Sequence, residues 1–114
     1  MTKNEKVAKW LGATKTSHIN LRGLPIYEFP DSFILVRYSG VGKRMTGYLE
    51  FDSDRNWLHE AWVKFRDLKF SDLNQLKEFK LQKDQIAYSI AYWPITEALD
   101  ELVKGIEWVE SLKK

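Results

Sequence analysis

A glycine turn followed by two basic residues is the first of three groups of residues that could support chemistry. Gly40, Gly42 and Lys43 are similar to part of a phosphate-binding loop, in which backbone N–H groups and a lysine hold phosphate. That motif needs a glycine five residues before Gly42 and a serine or threonine after the lysine, but Arg37 and Arg44 occupy those positions. The turn also lies between two predicted strands and lacks the following helix whose N-terminus would face phosphate. We therefore expect no nucleotide site here.

Metal-ligating and catalytic side chains form the second group, and their spacing is not distinctive. His18 and His59 are the only histidines, and the chain has no cysteine. Asp52 and Asp54 could bind a divalent cation in a cleft, but at the start of a predicted helix they would more simply cap its N–H groups. No pair of carboxylates is singled out for acid/base catalysis. We therefore expect no catalytic residue, metal or cofactor. That the protein is an enzyme, a small hydrolase, is our third hypothesis.

Aromatic residues form the third group, and Trp108 is the most informative of them. It projects about 140° from the centre of the apolar stripe of the last predicted helix, near Glu101 and Lys104 and one turn before Leu112. A tryptophan there is either covered by another part of the chain or exposed as an anchor for a partner. We predict a protein-binding or self-association site formed by Trp108, Glu101, Lys104 and Leu112.

A predicted hairpin offers a different function. Arg37, Lys43 and Arg44 lie close in sequence to Tyr38, and cations among aromatic side chains on a sheet are typical of proteins that bind single-stranded nucleic acid. The same aromatic residues are equally typical of the core face of a half-buried sheet. A nucleic-acid-binding module that uses these four residues is therefore the alternative hypothesis.

Composition sets the class of protein. The 114 residues suit one domain, residues 1–114, and they are 44% hydrophobic and 30% charged. The net charge of +2 is too small to indicate nucleic acid by itself. No run approaches the roughly 18 apolar residues of a membrane span, and no secretory signal is recognisable at the N-terminus. We therefore expect a cytoplasmic protein with no membrane partner, and the lack of cysteine fits a reducing compartment.

The apolar patterns predict helices at both ends of the chain and one in the middle. Thr2 and Glu5 form a capping-box pattern before a helix over residues 3–11. Residues 53–68 carry an apolar stripe at helical spacing, with Ser53 or Asp54 as the predicted cap. Pro94 then precedes a long stripe over residues 95–112, which predicts the third helix.

The segments between these helices predict a sheet. Residues 13–23 are polar and predict a connector that leads into a short strand, and residues 26–29, 33–38 and 45–51 are rich in β-branched and aromatic residues. Residues 71–83 fit a strand or a helix, and we favour a strand over residues 76–81. Residues 85–93 alternate large and small side chains, which predicts another strand. The fold class is α+β, an α-β-α-type sandwich with a mainly antiparallel sheet of about four to five strands and three helices.

Three segments resemble a family of small proteins of phages and bacterial mobile elements, the phage α-β-α sandwich domain. Residues 7–12 (VAKWLG) are similar to its N-terminal helix, residues 53–58 (SDRNWL) to its turn into the central helix, and residues 95–108 to its closing helix. The resemblance implies that fold and a phage-like origin, and it implies no activity or site. Together with the residues above, it favours a small non-catalytic protein-interaction or accessory protein. The resemblance implies that such a protein would be encoded by a phage.

Overall fold

The computed structural model describes residues 1–30, 32–33, 35 and 45–113. Its elements, in chain order, are α1 (Lys3–Trp10), β1 (Thr14–Ile19), β2 (Pro25–Glu28), β3 (Met45–Thr46), α2 (Arg55–Arg66), α3 (Leu73–Tyr92) and α4 (Ile95–Ser111). The chain divides into two compact units, the N-terminal unit Met1–Glu50 and the C-terminal unit Phe51–Lys114.

The protein belongs to the α+β class, but the predicted sandwich is wrong. The described residues form four helices and a three-stranded antiparallel sheet, where we predicted three helices and four to five strands. The error lies in residues 71–93, because the two strands predicted there are the single 20-residue helix α3. Ile86 and Ile90 are buried, and Tyr88 and Tyr92 are exposed. The members of each pair are four residues apart, so in a helix each pair lies on one face.

Helix α1 of the N-terminal unit begins at the predicted capping box. The Thr2 hydroxyl accepts a hydrogen bond from the N–H of Glu5 at 3.1 Å, and the Glu5 carboxylate accepts one from the N–H of Thr2 at 3.4 Å. The hydroxyl of Tyr27 in β2 also donates to the Glu5 carboxylate at 3.2 Å. The chain leaves the helix through Gly12, whose φ of 91° is strained for other residues. The cap therefore fixes both the start of α1 and its position against β2.

The sheet of the N-terminal unit is built on the β1–β2 hairpin. The two strands pair antiparallel with Lys15 opposite Tyr27, and β3 pairs with the other edge of β2. Strand β1 lies within residues 13–23, which were predicted as a connector leading into a short strand. Strand β3 covers only two residues of the strand predicted over residues 45–51. Most of the predicted strand 33–38 lies outside the described residues, and residues 33 and 35 are not in a strand.

In the C-terminal unit α2, α3 and α4 pack against one another around one apolar core. Helix α2 is capped by Asp54, as predicted, and buries Trp57, Leu58, Ala61 and Phe65. Helix α4 follows its predicted course, with Leu102 and Ile106 fully buried. A Cβ atom at Gly105 would lie 2.7 Å from Cδ1 of Ile86 and 3.1 Å from the Phe65 ring, so this glycine permits the close approach of α4 to its neighbours.

The end of α3 is held by the first residue of α2. The Arg55 guanidinium donates to the carbonyl oxygen of Ile90 and to that of Trp93, both at 2.6 Å. These carbonyls belong to the last turn of a helix, where intrahelical donors are lacking. None of the helices formed by the described residues is both long and apolar enough to cross a membrane.

Candidate protein-binding surface on α3 and α4

A groove between α3 and α4 contains two of the predicted protein-binding residues. Its volume is about 430 Å³, and we call it the α3–α4 groove; it is lined by Leu81, Gln82, Gln85, Ile86, Glu101 and Lys104. Glu101 is half-buried and Lys104 is exposed, and their side chains form an ion pair at 3.4 Å. The groove therefore has an apolar floor at Ile86 and polar walls, with carboxylate and ammonium groups along its α4 side.

Large side chains on the outer face of α3 extend this surface. Leu81, Tyr88 and Tyr92 are 69%, 56% and 73% exposed, and the two tyrosine rings lie 4.8 Å apart between centroids. Positions 81, 85, 88 and 92 share one face of a helix, because 100° per residue returns the chain to that side. We call Leu81, Tyr88 and Tyr92 the α3 stripe. Leu81 belongs to both the stripe and the groove, so the two form a continuous surface.

Trp108 lies further along α4 and is half-buried. Its ring packs against Phe70, in the connection between α2 and α3, with 5.6 Å between centroids. Phe70 in turn packs against the buried ring of Phe79 at 4.8 Å. Leu112 is also half-buried. Trp108 is therefore partly covered by its own chain, and the exposed large apolar side chains among the described residues of this unit lie on α3 and not on α4.

The residues considered for metal or catalytic chemistry are separated from this surface or occupied by local contacts. Asp54 accepts a hydrogen bond from the N–H of Asn56 at 2.8 Å, as a helix cap does. His59 is exposed and stacks on Trp62 with 5.7 Å between centroids. The described part of the chain has no group of three or more His, Cys, Asp or Glu residues that could hold a metal ion.

The alternative nucleic-acid site falls outside the described residues. This applies to Arg37, Tyr38, Lys43 and Arg44, and to the glycine turn between them. The prediction that they bind nucleic acid stays a prediction.

Sequence reasoning missed the α3 stripe because it assigned these residues to a strand. Two signals in the sequence indicate a helix instead. Asp72 is a good helix cap and accepts a hydrogen bond from the N–H of Gln75. No glycine or proline then occurs until Pro94, so nothing supplies the turn that two strands would need. Given a helix, the spacing of Leu81, Tyr88 and Tyr92 places them on one face opposite the buried Phe79 and Ile90.

Comparison of the chain with known protein families, with curated proteins and with solved structures finds no match. The resemblance to the phage family stays a prediction.

Proposed function

We propose that this is a non-catalytic protein that binds an amphipathic helix of another protein on the α3 stripe and the α3–α4 groove. The observation that carries the proposal is the exposure of Leu81, Tyr88 and Tyr92 on one face of α3, beside the groove. Exposed apolar residues are common singly, but a contiguous group beside a concavity is typical of interaction sites.

The chemistry of the α3 stripe suits protein recognition. A tyrosine buries a large apolar ring and keeps a hydroxyl for hydrogen bonding, at a small cost in conformational entropy. Tyr88 and Tyr92 already contact each other, so part of the entropy of ordering them is lost before a partner binds. The amides of Gln82 and Gln85 add donors and acceptors at the edge of the groove.

The shape and charge of the surface favour a helix with basic residues. Two packed helices form a long groove that accepts a third helix through apolar residues at i, i+3 or i+4, and i+7. Helix α4 contains five carboxylates and one lysine. Lysine or arginine beside the apolar face of the partner helix would therefore speed association, while the α3 stripe would supply the part of the affinity that survives high salt.

The wider role is also part of this proposal. An accessory protein of a phage or mobile element would act in the cytoplasm on a host or phage protein. The resemblance of residues 7–12, 53–58 and 95–108 supports the phage origin, and the lack of cysteine supports a reducing compartment.

The test is affinity capture of tagged protein from a bacterial lysate, with washes at low and high salt. We expect a stoichiometric protein that survives high salt with the wild type and is lost with the Tyr88→Ser/Tyr92→Ser variant. Leu73→Ser is the matched control, because Leu73 is similarly exposed on α3 but lies outside the stripe. The contacting segment of the captured protein, made as a peptide, should gain helical circular dichroism when it binds.

Capture that is unaffected by the stripe variant, or a contacting segment that binds without forming a helix, would contradict the proposal. The Trp108→Ala variant tests how much Trp108 contributes to the same binding surface. Because Phe70 covers part of the Trp108 ring, we expect that variant to weaken capture less than the loss of both tyrosines.

A further inference from the structure

The β1–β2 hairpin of the N-terminal unit carries a second exposed apolar group. Leu21 is fully exposed at the tip, and Ile19 and Leu24 beside it are 66% and 49% exposed. Three large aliphatic side chains therefore lie exposed within six residues, at the turn between β1 and β2. Single exposed aliphatic residues need no explanation, but a cluster of this kind indicates a contact surface.

The turn that carries these side chains is held by hydrogen bonds. The Asn20 side-chain oxygen accepts from the N–H groups of Arg22 at 2.8 Å and Leu24 at 3.0 Å. The Asn20 N–H donates to the Leu24 carbonyl oxygen at 2.8 Å, and Gly23 supplies a φ of 78°. Leu21 is thus displayed by an ordered turn, so its exposure is a property of the folded hairpin.

The tip carries one exposed cation, Arg22. Lys15 is also exposed, nearer the other end of β1, where it lies opposite Tyr27. Residues 6–27 contain four lysine and arginine residues and no aspartate or glutamate. The tip therefore combines three apolar side chains with an arginine, and the nearest carboxylate in sequence, Glu28, lies at the far end of β2.

We propose that the hairpin tip inserts into the surface of an anionic lipid membrane. Ile19, Leu21 and Leu24 enter the boundary between headgroups and acyl chains, and Arg22 contacts the anionic headgroups, while Lys15 attracts them from further along β1. An exposed apolar tip suits a deformable bilayer, whereas a protein would need an acidic concave site to receive it. A second copy of the hairpin would bring positive charge against positive charge.

The hairpin belongs to the N-terminal unit and the α3 stripe to the C-terminal unit, and the two proposals rest on different residues, so they succeed or fail independently. Our expectation of no membrane partner came from the lack of a spanning segment, and contact with the membrane surface does not require one.

Flotation with vesicles tests the proposal directly. The wild type should float with vesicles of phosphatidylcholine and phosphatidylserine and remain behind with phosphatidylcholine alone. Leu21→Ser should lower the partition coefficient about tenfold, because burying one leucine is worth about one such factor or more. Arg22→Glu should also weaken binding, and Leu73→Ser should leave it unchanged. Circular dichroism of each variant should match that of the wild type, because the substituted side chains are exposed.

A second measurement uses the absence of cysteine from the chain. Leu21→Cys, labelled with an environment-sensitive fluorophore, should show a blue shift on addition of the anionic vesicles, and labelled Leu73→Cys should not. The proposal is overturned if the wild type floats with neither vesicle, if it floats equally with both, or if Leu21→Ser floats as the wild type does. It is also overturned if tip variants abolish capture of a protein while the wild type binds no vesicle.

Discussion

The two compact units are stabilised by different kinds of contact. In the C-terminal unit, apolar side chains of three helices meet, and most of the buried apolar residues of the described chain lie there. The N-terminal unit buries fewer apolar residues, and side chains of Asn20, Thr16 and Glu5 also hold its hairpin and first helix through hydrogen bonds to neighbouring segments. A packed core tolerates polar changes on its outside, whereas a hydrogen-bonded hairpin depends on a few polar atoms. We therefore expect apolar substitutions to have the largest effect on stability in the core of the C-terminal unit, and polar substitutions to have theirs in the β1–β2 hairpin.

The largest effect is expected in the core of the C-terminal unit. Leu102→Ala removes a fully buried side chain and should lower the free energy of unfolding by about 2–5 kcal/mol, because a cavity adds to the lost transfer energy. Urea denaturation measures this change. The control Leu81→Ala, on the exposed α3 stripe, should alter stability by no more than about 0.5 kcal/mol. Equal losses from both would show that the unit is not organised around this core.

In the turn of the β1–β2 hairpin the largest effect should come from a polar residue. Asn20→Ala removes acceptors for Arg22 and Leu24 and a donor to the Gly47 carbonyl oxygen, at 3.1 Å. We expect a loss of about 1–3 kcal/mol, measured by thermal denaturation, because the partners lose hydrogen bonds in a folded turn. The control Asn74→Ala, exposed on α3, should have little effect.

Gly47→Ala gives an independent way to break the same contact. A Cβ atom at Gly47 would lie 2.7 Å from the side-chain nitrogen of Asn20, so the asparagine must move. The Asn20→Ala/Gly47→Ala double variant should then lose less stability than the sum of the single variants. Additive losses would show that the two residues act separately.

Gly105→Ala should cost about 1 kcal/mol. Crowding against Ile86 and Phe65 destabilises by about 1–3 kcal/mol, and the better helix propensity of alanine recovers about 1 kcal/mol. Urea denaturation measures the net change. Gly105→Ala with Ile86→Val should be less destabilised than the two single variants predict, because valine lacks the Cδ1 atom that the new methyl group meets. A stabilising effect of Gly105→Ala alone would show that the helices separate at little cost.

The smallest effect is a pH dependence confined to the N-terminal unit. Hydrogen bonds from Thr2, with a smaller contribution from Tyr27, hold the pKa of Glu5 below its ordinary value of 4.5. A carboxyl group whose pKa is lowered by folding stabilises the folded state above its unfolded pKa, and this stabilisation is lost as the pH falls through the folded value. The stability difference between wild type and Glu5→Gln, measured by thermal denaturation, should therefore shrink as the pH falls below 4.5. A difference that does not change with pH would contradict the assignment.

The local signals in the sequence predicted the helices well where a cap and an apolar stripe agreed. Thr2 and Glu5 located the start of α1, Asp54 the start of α2, and Pro94 the start of α4. The prediction for residues 71–93 was wrong because Ile86, Tyr88, Ile90 and Tyr92 fit both the two-residue period of a strand and the 3.6-residue period of a helix. The alternation alone does not decide between them; the Asp72 cap and the lack of glycine or proline before Pro94 favour the helix, whose packing buries the isoleucines and leaves the tyrosines exposed.

The candidate site was predictable only in part for the same reason. Glu101 and Lys104 were predicted as site residues because α4 was assigned as a helix, and the structure places them on the lining of the groove. Leu81, Tyr88 and Tyr92 were missed because their helix was not recognised. The exposed tip of the β1–β2 hairpin was missed because β1 is almost wholly exposed and has no apolar alternation, so residues 13–23 predicted mainly a connector.

The two hydrogen bonds from Arg55 also bear on the order in which the C-terminal unit forms. They join residues 35 and 38 positions apart in the chain, so the guanidinium reaches its carbonyls only after α2 and α3 have docked. An interaction that forms after the transition state affects escape from the native state more than entry into it. We expect the Arg55 contacts to form late, so Arg55→Ala should raise the unfolding rate more than it lowers the refolding rate, as stopped-flow kinetics would measure.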